Sequence, residues 1–121
     1  MIIVDYTERL RRLAINDERF VEAALAHDSA PADRALDAKS LALARLAALV
    51  AVGGSGPSFG SLTDAAIDSG ATAAEIVDVL VGVGNVVGVP RVVAAAPRIA
   101  LALGHDLEDE GSDTPPSGWH R

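Results

Sequence analysis

The chain has 121 residues, half of them apolar, with two Phe, one Tyr, one Trp, no cysteine and a formal charge of −7. This length predicts one domain, and the acidic balance offers no electrostatic footprint for nucleic acid. The lack of cysteine excludes disulfides, thiolate metal sites and thiol redox catalysis. With so few aromatic residues, we expect a core of Ala, Val, Leu and Ile.

The first 35 residues predict two short helices that lead into the main unit. The apolar face of the first helix has members at i, i+4 and i+7: Tyr6, Leu10 and Leu13. Asn16 or Asp17 can cap the second helix. Its shared face comprises Phe20, Ala23, Ala24 and His27. Residues 28–34 contain Ser, Ala and Pro and predict a linker.

The third and fourth helices flank a glycine- and serine-rich turn, GGSGPS, at residues 53–58. Asp37 is predicted to cap a helix that runs to about Val52 and is apolar almost all round, which is typical of a central helix covered on most sides. Arg45 inside it must reach an acid or extend to solvent. Phe59, Leu62 and Ala66 form the expected buried face of the fourth helix. Gly70 fits a left-handed C-cap.

The fifth helix has the firmest local signal, because Thr72 and Glu75 form a capping box. An apolar stripe at helical spacing follows: Ile76, Val79, Leu80, Val83 and Val87. The valine-rich run also fits a buried strand, but the capping box favours a helix. Pro90 suits a first helical turn. Pro97 is expected to kink or interrupt the last helix, at residues 92–103.

These elements predict an all-α fold with about six helices and three parts. Residues 1–35 form the N-terminal helices, residues 36–104 form the helical core, and residues 105–121 form an acidic, disordered tail. The N-terminus lacks the basic residues and long apolar run of a signal peptide. The apolar stretches are too short to span a bilayer. We therefore expect a cytoplasmic protein without membrane or nucleic-acid partners.

The order of the core motifs carries a family resemblance. The motifs are LDAKS at residues 36–40, Leu46-Ala47, the glycine-punctuated turn, the helix ending at Gly70, TAAEIVDVL at residues 72–80, and GVP at residues 88–90. Over about residues 36–103 this resembles the carboxymuconolactone decarboxylase family, which includes peroxidases of the alkylhydroperoxidase D type. The resemblance implies an all-α, alkylhydroperoxidase D-like fold that assembles into homotrimers or hexamers.

The resemblance also implies where the chemistry of the family would lie. Its peroxidase branch carries Cys-x-x-Cys-x-x-x-His from the turn onward with a glutamate upstream, and its decarboxylase branch keeps the histidine. Counting from Gly70 places these positions at Ser55, Ser58 and Leu62; counting from Leu36 gives Gly54, Pro57 and Ser61. The upstream acid falls at Ala42 or Leu43, and a family tyrosine falls at Val86. Either count leaves no thiol and no imidazole, so we expect no thiol peroxidase activity.

Six residues are candidates for ligand binding: Arg45, Ser55, Ser58, Ser61, Asn85 and Arg91. The serines also fit a turn and a helix cap, and no base for a nucleophilic serine is identifiable nearby. Arg45, Arg91 and Arg98 suit a bidentate carboxylate clamp, or they pair with acids, for which the candidates are Asp64, Asp68 and Asp78. Gly82 and Gly84 have the wrong spacing for a dinucleotide motif and favour close helix packing.

No cofactor and no metal is predicted, because His27, His105 and His120 form no cluster with ligand spacing. Two functions stay open on these residues. The first is a non-catalytic, self-associating protein with a binding or structural role. The alternative is a lactone decarboxylase or isomerase with relocated catalytic residues, in which Arg45 or Arg91 holds a small carboxylate. A third possibility is a partner-binding module that uses the acidic tail and Trp119.

Overall fold

The computed structural model describes residues 6–26 and 34–104, all of them in helices and short turns. The helices are α1 (Tyr6–Ala14), α2 (Glu18–Ala26), α3 (Ala38–Val52), α4 (Gly56–Asp68), α5 (Ala73–Gly82), α6 (Gly84–Val87) and α7 (Val89–Ala102). The all-α prediction is confirmed. His27, most of the predicted linker, and the tail with His105, Trp119 and His120 lie outside the described residues.

The chain divides into two compact units, with the boundary between Asp37 and Ala38. In the first unit, Asp17 rather than Asn16 caps α2, since its Oδ1 accepts from the Phe20 N–H at 3.3 Å. The Arg12 guanidinium lies 5.7 Å from the centre of the Phe20 ring and so joins α1 to α2. Hydrogen bonds from Arg11 and Arg12 lower the pKa of Glu8 to about 2. The predicted apolar face of α1 is exposed within the described residues.

The second unit holds the core, to which α3, α4, α5 and α7 contribute. Ten apolar side chains are buried in it: Ala42, Leu46, Val50, Phe59, Ala66, Ala71, Ile76, Leu80, Ala95 and Ile99. Phe59 is the single aromatic residue among them, as the composition led us to expect. Thr63 is also buried, and its hydroxyl has no hydrogen-bond partner among the described residues. Aliphatic packing, rather than polar contact, therefore holds this unit together.

The environment of α3 differs from the sequence prediction. Only one stripe is buried, formed by Ala42, Leu46 and Val50 at i, i+4 and i+8. Val52 is 70% exposed, so the expected coverage on most sides is wrong for the single chain. Arg45 lies on an exposed side of the helix, which spares the core a buried charge.

Glycines end the helices where the backbone must turn left-handed. At the end of α4, Gly70 has φ +103°. Its N–H donates to the Ile67 carbonyl at 3.0 Å, and the Ala71 N–H donates to the Ala66 carbonyl at 2.9 Å. This pair of bonds is a Schellman motif, and Ala66 and Ala71 are both buried beside it. The predicted left-handed cap at Gly70 is confirmed.

The predicted single helix through Val87 is wrong, because α5 ends at Gly82 and the short α6 follows. Gly82 and Gly84 flank Val83, and glycine has low helix propensity. The Val83 carbonyl then accepts from both Val86 and Val87, each at 2.9 Å. The two glycines do not mark a close contact. A Cβ on Gly82 would meet no atom within 4 Å, and one on Gly84 would lie 3.8 Å from Val92 Cγ2.

The predicted interruption at Pro97 is also wrong, because α7 continues through it. Proline removes one backbone donor and crowds the preceding turn. Here Ala95 and Ile99, on either side of it, are buried in the core and hold the helix in place. Pro90 occupies the first turn of α7, as predicted.

The predicted capping box at the start of α5 is confirmed. The Glu75 N–H donates to Thr72 Oγ1 at 3.0 Å, and the Thr72 N–H donates to Glu75 Oε1 at 2.9 Å. Lys39 of α3 donates to Glu75 Oε2 at 2.9 Å, so the same carboxylate also links two helices. The Thr72 N–H first, and Lys39 second, hold the pKa of Glu75 below its usual value.

We expect Glu75→Gln to lower the free energy of unfolding at neutral pH. In the variant, this free energy should also fall less steeply as the pH decreases. A carboxyl whose pKa is lowered by folding stabilises the folded state above its unfolded pKa and loses that contribution as the pH falls through the folded pKa. Urea unfolding of wild type and variant between pH 7 and pH 3 measures this. Asp78→Asn on the same helix is the control, since Asp78 makes none of the described hydrogen bonds. Parallel pH curves for wild type and Glu75→Gln would contradict the prediction.

Candidate functional site

The α3–α4 turn is built from one left-handed glycine and one serine cap. Gly53 has φ +83°, and its N–H closes α3 by donating to the Leu49 carbonyl at 2.7 Å. Ser55 is the N-cap of α4, where its Oγ accepts from the Ser58 N–H at 3.2 Å. The Ser55 and Ser58 hydroxyls also lie 3.1 Å apart. The structure thus gives both serines the turn and cap roles that the sequence favoured.

Two arginines of α7 reach back to this turn. Arg91 Nη1 donates to the Val52 carbonyl at 3.2 Å, and Arg98 Nη1 donates to the Gly54 carbonyl. The last carbonyls of a helix carry partial negative charge, which a guanidinium offsets. Neither arginine forms an ion pair with a carboxylate in the described part of the chain. The predicted pairing with aspartates is therefore wrong for Arg91 and Arg98 within the chain.

Arg91 lies close to the turn. A Cβ on Gly53 would be 2.5 Å from Arg91 Nη1, and one on Gly54 would be 2.7 Å from Leu49 Cδ1, so the end of each neighbouring side chain would have to move. At Gly53 the positive φ also favours glycine, whereas Gly54 has no positive φ.

A hollow of about 180 Å³ lies between this turn and α7. Its lining consists of Val50, Gly53, Gly54, Phe59, Arg91, Ala94, Ala95 and Arg98. Arg91 and Arg98 are seven residues apart, which places them two turns apart on one side of α7, with two small alanines between them. We call this hollow the arginine pocket. It combines an apolar wall with two cations and has no carboxylate, imidazole or thiol among its lining residues.

A family model identifies the scaffold that carries this pocket. The model of the carboxymuconolactone decarboxylase family matches residues 17–102, well over half of the chain. The chain belongs to this family. The match begins at residue 17 and thus includes α2, whereas the sequence resemblance began at about residue 36. No curated protein and no solved structure matches the chain.

The positions at which the sequence resemblance places the chemistry of the carboxymuconolactone decarboxylase family can now be located in the structure. By the count from Gly70 the histidine position is Leu62, which packs against the core; by the count from Leu36 it is Ser61, which is exposed. The upstream acid position is either the buried Ala42 or the core-packed Leu43. With no cysteine anywhere, no thiol cycle is available.

Of the six candidate residues, Arg91 alone lines the arginine pocket. Arg45, Ser55, Ser58, Ser61 and Asn85 do not line it, and all five are exposed. Their proposed role in binding a ligand outside the arginine pocket stays a prediction. Arg98 also lines the pocket; the sequence placed it with Arg45 and Arg91 as a possible carboxylate clamp but not among the six candidates. Its seven-residue spacing from Arg91, across a stretch of alanines, was the available signal.

A second, open hollow of about 530 Å³ lies on the first unit. It is lined by Asn16, Glu18, Val21, Glu22, Leu25 and Ala26, and its two carboxylates are on one side of α2. No group of three or more His, Asp or Glu with metal-binding geometry occurs in residues 6–26 and 34–104. Within these residues, no helix has the length and apolar character needed to cross a membrane.

Proposed function

We propose that this chain is a non-catalytic, self-associating member of the carboxymuconolactone decarboxylase family with a binding role. The observation that carries the proposal is the α3–α4 turn. The sequence resemblance places the reactive residues of the family from this turn onward, and the turn holds Gly, Ser and Pro instead. Serine forms no disulfide, so it cannot run a thiol cycle.

The arginine pocket supports binding over catalysis. General acid–base chemistry near neutral pH needs a group that titrates there, and guanidinium does not. Its two arginines can orient an anion but cannot exchange protons with it. The alternative of a decarboxylase or isomerase with relocated residues has no base in the pocket to support it.

Exposed valines support self-association, as a homotrimer or hexamer of the kind that the family resemblance implies. The run from α5 to α7 leaves five of them uncovered: Val77, Val81, Val86, Val89 and Val93. We call these five the valine surface. They recur at i, i+4 on α5 and again on α7, and Val86 is 86% exposed. Apolar exposure on this scale marks an interaction surface more often than free surface, and a second copy of the chain would cover it.

We expect Val86→Asp to lower the mass of the assembly toward the 12.4 kDa of one chain. A carboxylate placed in an apolar interface loses its hydration without a partner, which costs several kcal/mol. Light scattering coupled to size exclusion measures the mass. Ala65→Asp adds the same charge on an exposed part of α4 and should leave the mass unchanged. A monomeric wild type at all concentrations would contradict self-association, and an unchanged mass for Val86→Asp would contradict this surface.

Turnover assays on the purified full chain test the non-catalytic role. Carbon dioxide release from carboxymuconolactone addresses the relocated enzyme, and hydroperoxide consumption with a dithiol reductant addresses the peroxidase. We expect both rates to stay at the protein-free background. Protein-dependent carbon dioxide release would establish the alternative and overturn the proposal.

A further inference from the structure

We propose that the arginine pocket binds a small organic monocarboxylate whose apolar part is about the size of one six-membered ring. The carboxylate lies at Arg91 and Arg98. The apolar part lies over Ala94 between them, above the buried Val50 and Phe59. This inference rests on the binding role proposed above, to which it gives a place and a ligand class. It depends neither on the oligomeric state nor on the absence of turnover.

The charges around the pocket favour an anion. A guanidinium carries five N–H donors, and each of these two makes a single hydrogen bond within the described residues, to a backbone carbonyl. Donors therefore remain on both side chains for a carboxylate, which arginine can bind through two parallel hydrogen bonds. The chain as a whole carries a charge of −7. Arg91 and Arg98, which have no carboxylate partner among the described residues, therefore make the pocket positively charged in an acidic protein.

The volume of the pocket limits the ligand. An engineered protein cavity of about 150 Å³ holds one benzene molecule, and drug-sized ligands occupy roughly 300–1,000 Å³. At about 180 Å³, the arginine pocket fits a single ring or a short branched chain. A nucleotide or an acyl-coenzyme A would extend well beyond it.

The part of the pocket between the two arginines is apolar. Ala94 is exposed there, and Val50, Phe59 and Ala95 lie beneath it in the core, each at most 2% exposed. Ala94 and Ala95 keep the space between the two arginines open, because larger side chains there would fill it. An inorganic anion would bind the arginines and leave the exposed apolar lining uncovered. A carboxylate with an apolar group matches both halves of the pocket.

Calorimetric titration of the full chain with sodium benzoate tests the proposal. Benzamide, which has the same shape without the charge, and inorganic phosphate, which has charge without an apolar part, are the matched ligands. We expect saturable benzoate binding. Benzamide should bind at least about tenfold more weakly because it lacks the charge that strengthens the arginine hydrogen bonds, and phosphate at least about tenfold more weakly because it has no group to cover the apolar part of the lining. The absence of saturable benzoate binding, or equal binding of benzamide, would overturn the proposal.

Two pocket variants locate the binding. Arg98→Gln should weaken benzoate at least about tenfold by removing one charged donor, whereas Arg9→Gln removes the same charge outside the pocket and should not. Because Arg98 also supports the turn, Ala94→Leu provides an independent test. It fills the pocket without removing a hydrogen bond and should abolish binding, while Ala65→Leu, the same substitution at an exposed position of α4 outside the lining, should not.

Full benzoate affinity in Ala94→Leu would overturn the proposal whatever Arg98→Gln does. Neither pocket variant alters a thiol or the valine surface. Failure of the pocket would therefore leave the mass of the assembly and the turnover rates where the proposed function expects them. Turnover in the wild type, in contrast, would contradict the non-catalytic role but not the proposal that the pocket binds a monocarboxylate.

Discussion

We expect Gly53→Ala to lower the free energy of unfolding by about 1–3 kcal/mol. Gly53 has φ +83°, a conformation that costs an L-residue roughly 1–2 kcal/mol. The new Cβ would also meet Arg91 Nη1 at 2.5 Å and push the guanidinium away from the Val52 carbonyl. Because Arg91 is exposed and its end can move, loss of this hydrogen bond adds at most about 1 kcal/mol. Urea unfolding followed by circular dichroism measures the change.

Gly60→Ala is the matched control for this substitution. Gly60 lies inside α4, a Cβ there would meet no atom within 4 Å, and its φ is not positive. Because alanine has the higher helix propensity, this variant should be more stable by roughly 0.5–1 kcal/mol. If both glycine variants changed stability alike, the role of Gly53 beneath Arg91 would be wrong.

Leu46→Ala should have the largest effect of any single substitution proposed for this chain, a loss of about 3–5 kcal/mol. Leu46 is fully buried at the middle of the α3 stripe, between Ala42 and Val50. The core around it is aliphatic and has one aromatic side chain, so little can move to fill the space left by a leucine. For a domain of this size, such a loss is a large part of the total stability. Thermal and urea unfolding of the full chain measure it.

Leu101→Ala removes the same atoms from a side chain that is 71% exposed on α7. We expect a change within about 0.5 kcal/mol, as is usual for exposed positions. A Leu46→Ala loss as small as that of Leu101→Ala would contradict the assignment of the core to the α3 stripe.

Local signals in the sequence predicted most of the helices correctly. The capping box at Thr72, the left-handed glycine after α4 and the apolar face through Phe59 each rest on neighbouring residues, whose geometry the backbone fixes by itself. The two errors have different causes, one in tertiary packing and one in local helix propensity. Pro97 stays inside α7 because the core holds the helix on both sides of it. The valine stripe after Ile76 breaks because two glycines weaken the helix beyond Gly82.

The sequence predicted the position of the α3–α4 turn but not the contacts that other helices make with it. The position of the turn followed from the order of the family motifs, and the inert residues in it could be read directly. The hydrogen-bond partners of Arg91 and Arg98 could not be predicted from the sequence. Whether a guanidinium binds carbonyls or carboxylates here depends on how α7 packs against the end of α3. Small residues, such as Ala94 and Ala95, predict a hollow only when the helices around it are known.

Hydroperoxide consumption by the full wild-type chain tests most directly the claim that this scaffold has lost its thiol chemistry. The assay follows cumene hydroperoxide in excess dithiothreitol over a range of protein concentrations. We expect a rate that does not change with protein concentration, since the chain contains no cysteine. A rate that rises in proportion to the protein and saturates with hydroperoxide would contradict it.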